Sequence, residues 1–274
     1  MSIAGRAFIL AASLVAGIGM AEAAPESLTK AGKIVFCSDL NSPPNQYMAE
    51  DGSTPTGVAI DMLKGIGDEL KLPVEIMNVK FSGIFPALDT GQCDAIMAST
   101  SKSPERLQKY NFVDYWAVAS GLLVKKGNPQ NLKTYLDLSG KRVAVLLGSA
   151  NQRRLEAANE ELAKLGKPPM EIAAFPGNTI AFQELDLGRV DAMVGDTLVL
   201  SYFQTRSNGK FEIGGAPVPP STLGIIVTKP REDVAAAFRK ALDDLQASGK
   251  LQAMADKWGV AAGMTMCTSA KPCP

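Results

Sequence analysis

A short segment of this chain occurs twice, and the repeat restricts the folds that the sequence can adopt. Residues 87–97 read Ala-Leu-Asp-Thr-Gly-Gln-Cys-Asp-Ala-Ile-Met, and residues 184–194 read Glu-Leu-Asp-Leu-Gly-Arg-Val-Asp-Ala-Met-Val. Each copy predicts the end of a helix, a glycine that terminates it and a short buried strand. A solenoid would need several repeats at a short, fixed spacing. Two widely separated copies therefore indicate two similar α/β lobes.

Strand-like and helical patterns alternate from residue 33 onward. Apolar, β-rich runs cover residues 34–37 and 74–79, and helical patterns cover residues 60–70 and 84–88. This alternation is typical of βαβ units, so we predict a mostly parallel sheet covered by helices.

The repeat also predicts where a ligand binds. In open α/β sheets, ligands bind beyond the carboxyl ends of the strands. In the two copies these ends fall at residues 98–99 and 195–196. We therefore expect a binding site between the two lobes, with Ser99 and Asp196 close to it.

Composition excludes several classes of site. The chain has no histidine, so Ser-His-Asp triads, Cys-His pairs and HExxH zinc sites are impossible. Its four cysteines form no CxxC pair, which excludes zinc ribbons and thioredoxin-like motifs. With 28 basic and 28 acidic residues, it lacks the basic excess typical of nucleic-acid binding. We predict no metal and no cofactor, although enzymes that use carboxylates, lysine or tyrosine remain possible.

The N-terminal segment predicts export. Residues 1–24 contain Arg6, an apolar run over residues 7–18 and an A-x-A pattern ending at Ala23. This order is typical of a secretory signal that is cleaved near Ala23. The alternative is a membrane anchor, but the apolar run is shorter than the roughly 20 residues that a spanning helix needs.

An exported compartment permits disulfides. Cys267 and Cys273 lie close together in the C-terminal tail, and we expect them to form one; the alternative is two free thiols. Cys37 and Cys93 each lie in a strand-like stretch. We expect these two to be buried small hydrophobic residues rather than a disulfide.

The first lobe offers a candidate anion-binding cation. Ser103 and Pro104 are good N-cap and N1 residues, which places Arg106 in the first helical turn. A cation there opposes the helix dipole unless a bound carboxylate compensates it. The alternative is a solvated surface arginine. The proximity of Arg106 to Ser99 and Ser101 at the predicted cleft favours the binding role.

The second lobe offers groups for both ends of a zwitterion. A strand predicted at residues 143–147 leads into Gly148, Ser149 and Ala150, which open a helix whose free N–H groups can bind an anion. The segment lacks the glycines and lysine of a phosphate loop and also suits an ordinary turn. Asp196, at a strand end, can pair with a ligand ammonium or cap the next helix.

Taken together, these stretches resemble solute-binding protein family 3, the binding proteins of ABC importers for polar amino acids. The resemblance runs from residue 33 to about residue 260. It rests on the order and spacing of Gly-Val-Ala-Ile-Asp at 57–61, Phe-Pro-Ala-Leu at 85–88, Ser-Pro-Glu-Arg at 103–106, Phe-Val-Asp-Tyr at 112–115, Gly-Lys-Arg-Val-Ala-Val at 140–145, and the segment 249–259.

The resemblance implies an α/β fold of two Rossmann-like lobes joined by two hinge strands, the type II periplasmic binding protein fold, which closes on its ligand by a hinge motion. We place the crossings near residues 117–119 and 219–222. The predicted organisation is a signal peptide at 1–24, a discontinuous lobe 1 at 25–118 and 222–264, lobe 2 at 119–221, and a tail at 265–274.

The resemblance also implies roles for site residues. Arg106, with Ser101 and the backbone near Ser149 and Ala150, would hold the α-carboxylate of an amino acid. Asp196 would hold the α-ammonium.

Further residues bear on the ligand side chain. Phe81 matches a ring that stacks on it, and Asp39 matches a residue that can meet a cationic side chain. The chain departs from the family pattern at residues 42–46, which read Ser-Pro-Pro-Asn-Gln instead of an aromatic residue, Pro and Phe. It also departs at Ala59 and at residues 99–101. These departures alter the expected stacking clamp and with it the side-chain specificity.

The resemblance therefore implies a periplasmic component of an ABC importer that captures an amino acid or a derivative and delivers it to an inner-membrane permease. We expect a monomer, since a shuttle of this kind must close around its solute. One alternative is an enzyme on the same scaffold, similar to cyclohexadienyl dehydratases. In that case Asp39 or Asp196 would need a raised pKa to act without histidine. Another alternative is a ligand-sensing module for a membrane receptor.

Overall fold

The computed structural model describes residues 24–260 and 265–273. The helices are α1 Glu26–Ala31, α2 Val58–Leu70, α3 Ile84–Asp89, α4 Pro104–Lys109, α5 Ala150–Lys164, α6 Asn178–Asp186, α7 Thr197–Arg206, α8 Glu232–Ala247 and α9 Lys250–Lys257, with 3-10 turns at Phe81–Gly83 and Tyr135–Leu138. The strands are β1 Ile34–Ser38, β2 Asn41–Ser42, β3 Gln46–Met48, β4 Pro55–Thr56, β5 Val74–Asn78, β6 Ala95–Ile96, β7 Tyr110–Lys125, β8 Arg142–Leu146, β9 Glu171–Phe175, β10 Ala192–Asp196, β11 Phe211–Thr228 and β12 Thr265–Met266.

Two parallel sets of strands are joined through two long strands. The sheet order is β5-β1-β6-β11-β7-β10-β8-β9, with β12 on β7. Strands β5, β1 and β6 are parallel to one another, as are β10, β8 and β9. The long strands β7 and β11 are antiparallel to each other and to their neighbours β10 and β6. The predicted α/β class is therefore confirmed.

The hydrophobic core is divided in the same way. One pair of clusters packs around residues such as Phe36, Phe238 and Ile84, and we call this part lobe 1. Another pair packs around residues such as Val143 and Phe203, and we call this part lobe 2. Strands β7 and β11 run from one part to the other. The residue boundaries expected for the lobes stay a prediction.

The repeated segment has the same structural role in each lobe. The Asp94 carboxylate accepts a hydrogen bond of 2.8 Å from the backbone N–H of Val35, and the Asp191 carboxylate accepts one of 2.9 Å from that of Arg142. Each aspartate thus lies just before one strand and is hydrogen-bonded to the neighbouring parallel strand. This shared contact gives a physical reason for the Asp-Ala pair in both copies.

The cysteines correct one expectation and confirm another. Cys37 and Cys93 form a disulfide, with their Cα atoms 5.7 Å apart. Our expectation that they are unbridged was wrong because β1 lies beside β6, with Cys37 opposite Ile96, and this pairing brings Cys93 within reach. Cys267 and Cys273 form the predicted disulfide.

Residues 1–23 of the predicted signal lie outside the described residues. Across residues 24–260 and 265–273, no helix has the length and apolarity needed to cross a bilayer.

Candidate functional site

A cavity lies between the lobes at the ends of several strands. All predicted site residues except Asp39 line it. Its walls comprise Ser42, Phe81, Ala98, Ser99, Ser101 and Arg106 from lobe 1, and Leu146, Ser149, Ala150, Asn151, Asn178, Val194, Gly195, Asp196 and Val199 from lobe 2.

The cation of this cavity is Arg106, on α4. The Ser103 hydroxyl caps the helix by accepting a hydrogen bond of 3.3 Å from the backbone N–H of Arg106. The guanidinium lies 4.8 Å from the ring centre of Phe85 and donates a hydrogen bond of 2.9 Å to the carbonyl of Ser101. The side chain is buried, and in the described part of the chain no carboxylate lies within ion-pair distance of it.

Burial has an electrostatic consequence at Arg106. Desolvation, followed by the nearby charge of Arg153, lowers the pKa of the guanidinium to about 10. A buried cation without a counter-ion is unfavourable, so a bound anion stabilises it. Among the described residues, the cavity therefore presents a positive charge that has no carboxylate partner.

The anion of the cavity is Asp196, at the end of β10. Although Asp196 is the N-cap residue of α7, its side chain makes no capping hydrogen bond. Its carboxylate accepts a hydrogen bond of 3.4 Å from the Asn151 amide, which in turn accepts one of 2.8 Å from Arg154. Desolvation raises the pKa of Asp196 to about 6, against the opposing effects of Asn151 and Arg154. In the described residues, no cation lies within ion-pair distance of this carboxylate.

The start of α5 forms another wall. Helix α5 begins at Ala150, and the Ser149 hydroxyl accepts a hydrogen bond of 3.1 Å from the backbone N–H of Gln152. Ser149, Ala150 and Asn151 all line the cavity, so the positive end of the helix dipole lies at its edge. The expected strand and helix boundaries of this segment are correct to within one residue.

Ser99 follows β6 in an unusual conformation. Its φ of 48° lies in the left-handed region, which residues other than glycine seldom adopt. The hydroxyl accepts a hydrogen bond of 2.6 Å from the Asn45 amide and donates one of 3.2 Å to Gln46. Both amide side chains are buried. Residues 42–46, in which the chain departs from the family pattern, thus fix the position of the Ser99 side chain.

Asp39 does not reach the cavity. It is fully buried, and its carboxylate accepts a hydrogen bond of 2.9 Å from the Asn41 amide. Burial raises the pKa of Asp39 to about 6, and the bond from Asn41 opposes the shift. Asn41 engages one of the two carboxylate oxygens, and Asp39 lies outside the residues that line the cavity. The expected contact with a cationic ligand side chain stays a prediction.

Sequence reasoning missed the contact between Ser42 and Asn178. The Asn178 amide donates a buried hydrogen bond of 2.9 Å to the Ser42 hydroxyl, from lobe 2 to lobe 1. Asn178 could have been found, because it follows β9 much as Ser99 follows β6 and Asp196 ends β10. No signal in the sequence pairs it with Ser42.

Comparison with known proteins identifies the family. The model of the bacterial extracellular solute-binding proteins, family 3, matches residues 34–261. The chain belongs to this family. This solute-binding protein is 27% identical over 256 residues to the L-cystine-binding protein TcyJ of Escherichia coli (strain K12), covering 91% of this chain and 92% of TcyJ.

Solved structures agree with this assignment. An ancestral arginine-binding protein bound to glutamine has a TM-score of 0.76 and 30% identity, covering 84% of this chain and 98% of that one. The ancestral amino acid-binding protein AncCDT-1, a precursor of cyclohexadienyl dehydratase, has a TM-score of 0.73 and 29% identity, covering 85% and 97%. The expected family and the type II periplasmic binding protein fold are confirmed.

Proposed function

We propose that this solute-binding protein is the periplasmic substrate-binding component of an ABC importer. It captures an amino acid or an amino-acid derivative between its lobes and delivers it to an inner-membrane permease. The observation that carries this proposal is a cavity with the Arg106 guanidinium from one lobe and the Asp196 carboxylate from the other, neither of which has an ion-pair partner among the described residues. These charges complement the carboxylate and the ammonium of a zwitterion. The relatives named for cystine and arginine binding support the same ligand class.

The proposed binding mode follows from the positions of these charges. Arg106, the Ser101 hydroxyl and the start of α5 hold the ligand carboxylate, and Asp196 holds the ammonium. Phe81 packs against the ligand. Because the two charges belong to different lobes, one zwitterion stabilises the closed arrangement relative to an open one. The permease then distinguishes loaded from empty protein by the closed surface.

Export and assembly complete the proposal. The signal at residues 1–24 is cleaved near Ala23, and the mature protein acts as a monomer. A family of extracellular binding proteins supports the exported location.

The test is ligand binding by the mature chain after bound solute has been removed by partial unfolding. Thermal shift and calorimetry are run with α-amino acids and with analogues that lack either the carboxylate or the ammonium. Arg106→Gln and Asp196→Asn are compared with Arg189→Gln and Asp186→Asn, which alter exposed ion pairs of lobe 2. Binding that is lost in both site variants and kept in both controls is the expected result.

Other outcomes redirect the assignment. Loss in Arg106→Gln alone indicates a carboxylate ligand without a free ammonium. A folded protein that binds nothing in the panel contradicts the proposal. Consumption of a cyclic acid by the wild-type protein favours the dehydratase alternative.

A further inference from the structure

The geometry points to a specificity device between the lobes. We propose that Asn41 and Ser42 of lobe 1, with Gly177 and Asn178 of lobe 2, form a partition that limits the length of the ligand side chain. The protein then selects short polar amino acids over elongated ones. This inference rests on the proposed function, since it concerns the same cavity.

The partition is a direct contact between the lobes. The Asn178 amide donates its hydrogen bond of 2.9 Å to Ser42, and both side chains are buried. Beside this bond, the backbone of Gly177 lies close to Asn41. A Cβ atom at Gly177 would lie 3.1 Å from the Cβ and Cγ atoms of Asn41, closer than most real Cβ contacts. The lobes therefore meet here without a gap.

Two spaces of very different size lie on the two sides of this contact. Ser42 and Asn178 line the candidate binding cavity, whereas their neighbours Asn41 and Thr179 line a separate groove between the lobes. The volume of the groove is about 770 Å³, whereas that of the cavity is about 30 Å³. The partition thus separates a ligand in the cavity from a much larger groove whose lining includes exposed residues such as Glu50 and Thr179.

Hydrogen bonds within lobe 1 hold the lobe 1 half of the partition in place. The buried Asp39 carboxylate accepts the hydrogen bond from Asn41, and Ser42 pairs with Gln46 in the antiparallel β2–β3 ladder. Gln46 in turn accepts the hydrogen bond from Ser99, a cavity residue. Asp39 is accordingly a positioning residue, because it orients Asn41 and does not line the cavity.

The chemistry of the partition favours a short polar side chain. After the bond between them, Ser42 retains a hydroxyl proton and Asn178 retains a carbonyl oxygen for a ligand. A longer side chain that enters the groove must break the bond and leave buried polar groups unpaired. That penalty corresponds to a loss of about 10- to 100-fold in affinity.

The test measures the Kd values of L-serine, L-cysteine, L-glutamine, L-arginine and L-cystine by calorimetry on the mature protein. We expect the wild type to bind serine or cysteine at least tenfold more tightly than arginine or cystine. The double variant Ser42→Ala with Asn178→Ala removes both partners together, so that neither is left unpaired. It should narrow this ratio about tenfold by gaining affinity for the elongated ligands.

Controls separate the partition from general damage. Thr179→Ala alters an exposed groove residue beside Asn178 and should keep the wild-type ratio. Should the double variant unfold, Ser42→Gly and Asn178→Ser open the partition from either side singly, with the melting temperature as the check on folding.

Specified outcomes overturn the inference. A wild type that binds arginine or cystine as tightly as serine contradicts it, as does an unchanged ratio in a folded partition variant. Both leave the proposed function intact because an amino acid still binds. A folded wild type that binds no amino acid overturns the proposed function as well, so the failures are distinguishable.

Discussion

Asp196 should make ligand binding depend on pH between pH 5 and pH 8. The pKa of this carboxylate is raised from 3.8 to about 6 by desolvation, with Asn151 and Arg154 acting in the opposite direction. The free protein therefore protonates Asp196 as the pH falls through about 6. A ligand ammonium binds the ionised form and so lowers this pKa in the complex. The affinity is accordingly full well above pH 6 and falls as the pH drops below it.

The size of the effect follows from linkage. One proton is taken up by the free protein for each site that loses its ligand, so Kd rises about tenfold per pH unit below about pH 6. At pH 5, binding should be about tenfold weaker than at pH 8. Calorimetry of the tightest-binding α-amino acid, in buffers of different ionisation enthalpy, measures both Kd and the proton released on binding.

Asp39 provides a matched control for this prediction. Its pKa is also raised to about 6, but it lies outside the cavity. Asp196→Asn should abolish the slope, whereas Asp39→Asn should keep it. A wild-type Kd that is constant from pH 8 to pH 5, or a slope that disappears in Asp39→Asn, would refute the reasoning.

Three further predictions concern affinity and stability. Arg106→Gln should weaken ligand binding by about 100-fold or more, because the ligand carboxylate loses a buried charge partner. The melting temperature of the free protein should stay level or rise, because the variant no longer buries a cation without a counter-ion. Calorimetry measures the affinity and thermal unfolding measures the stability; an unchanged affinity contradicts the prediction. Removing the Cys37–Cys93 disulfide should lower the free energy of unfolding by about 4 kcal/mol, because the bond closes a loop with a sequence separation of 56. Removing the Cys267–Cys273 disulfide, with a separation of 6, should lower it by only about 2 kcal/mol. Urea unfolding of the two double alanine variants measures both losses, and the reverse order would contradict the loop-closure argument. Asp39 has a folded-state pKa above its unfolded value, so its contribution to stability is full below about pH 4 and is lost as the pH rises through about 6. The Asp39→Asn variant should therefore be up to about 3 kcal/mol more stable than the wild type at pH 8 and about as stable as the wild type at pH 4. Urea unfolding at the two pH values measures this difference in the free energy of unfolding, and the same difference at both would argue against the prediction.

Local patterns predicted much of the candidate site. The hydroxyl cap at Ser103 was predicted from residue type and position, and Ser103 accepts the expected hydrogen bond. The strand-end rule led to Ser99 and Asp196, which line one cavity. The same rule, applied to the end of β9, would also have predicted Asn178, which the sequence analysis did not name. The binding roles of these residues stay predictions.

The remaining error concerns a contact between segments that are distant in sequence. The expectation for Cys37 and Cys93 failed because their separation along the chain says nothing about the register of β1 on β6. The expected role of Asp39 stays a prediction, because the structure places this buried residue outside the cavity lining and holds no ligand.

A residue's own neighbours determine caps, strand ends and the alternation of helices and strands, because these depend on hydrogen bonds and periodicity over a few positions. The sequence alone therefore established a two-lobed α/β protein with polar or charged residues at its strand ends. Which of those groups meet, and which are covered, depends on strand register and on how the lobes close. The bond between Ser42 and Asn178 joins positions 136 residues apart, and no local energy term encodes such a pairing. The tertiary structure therefore determined the far wall of the cavity.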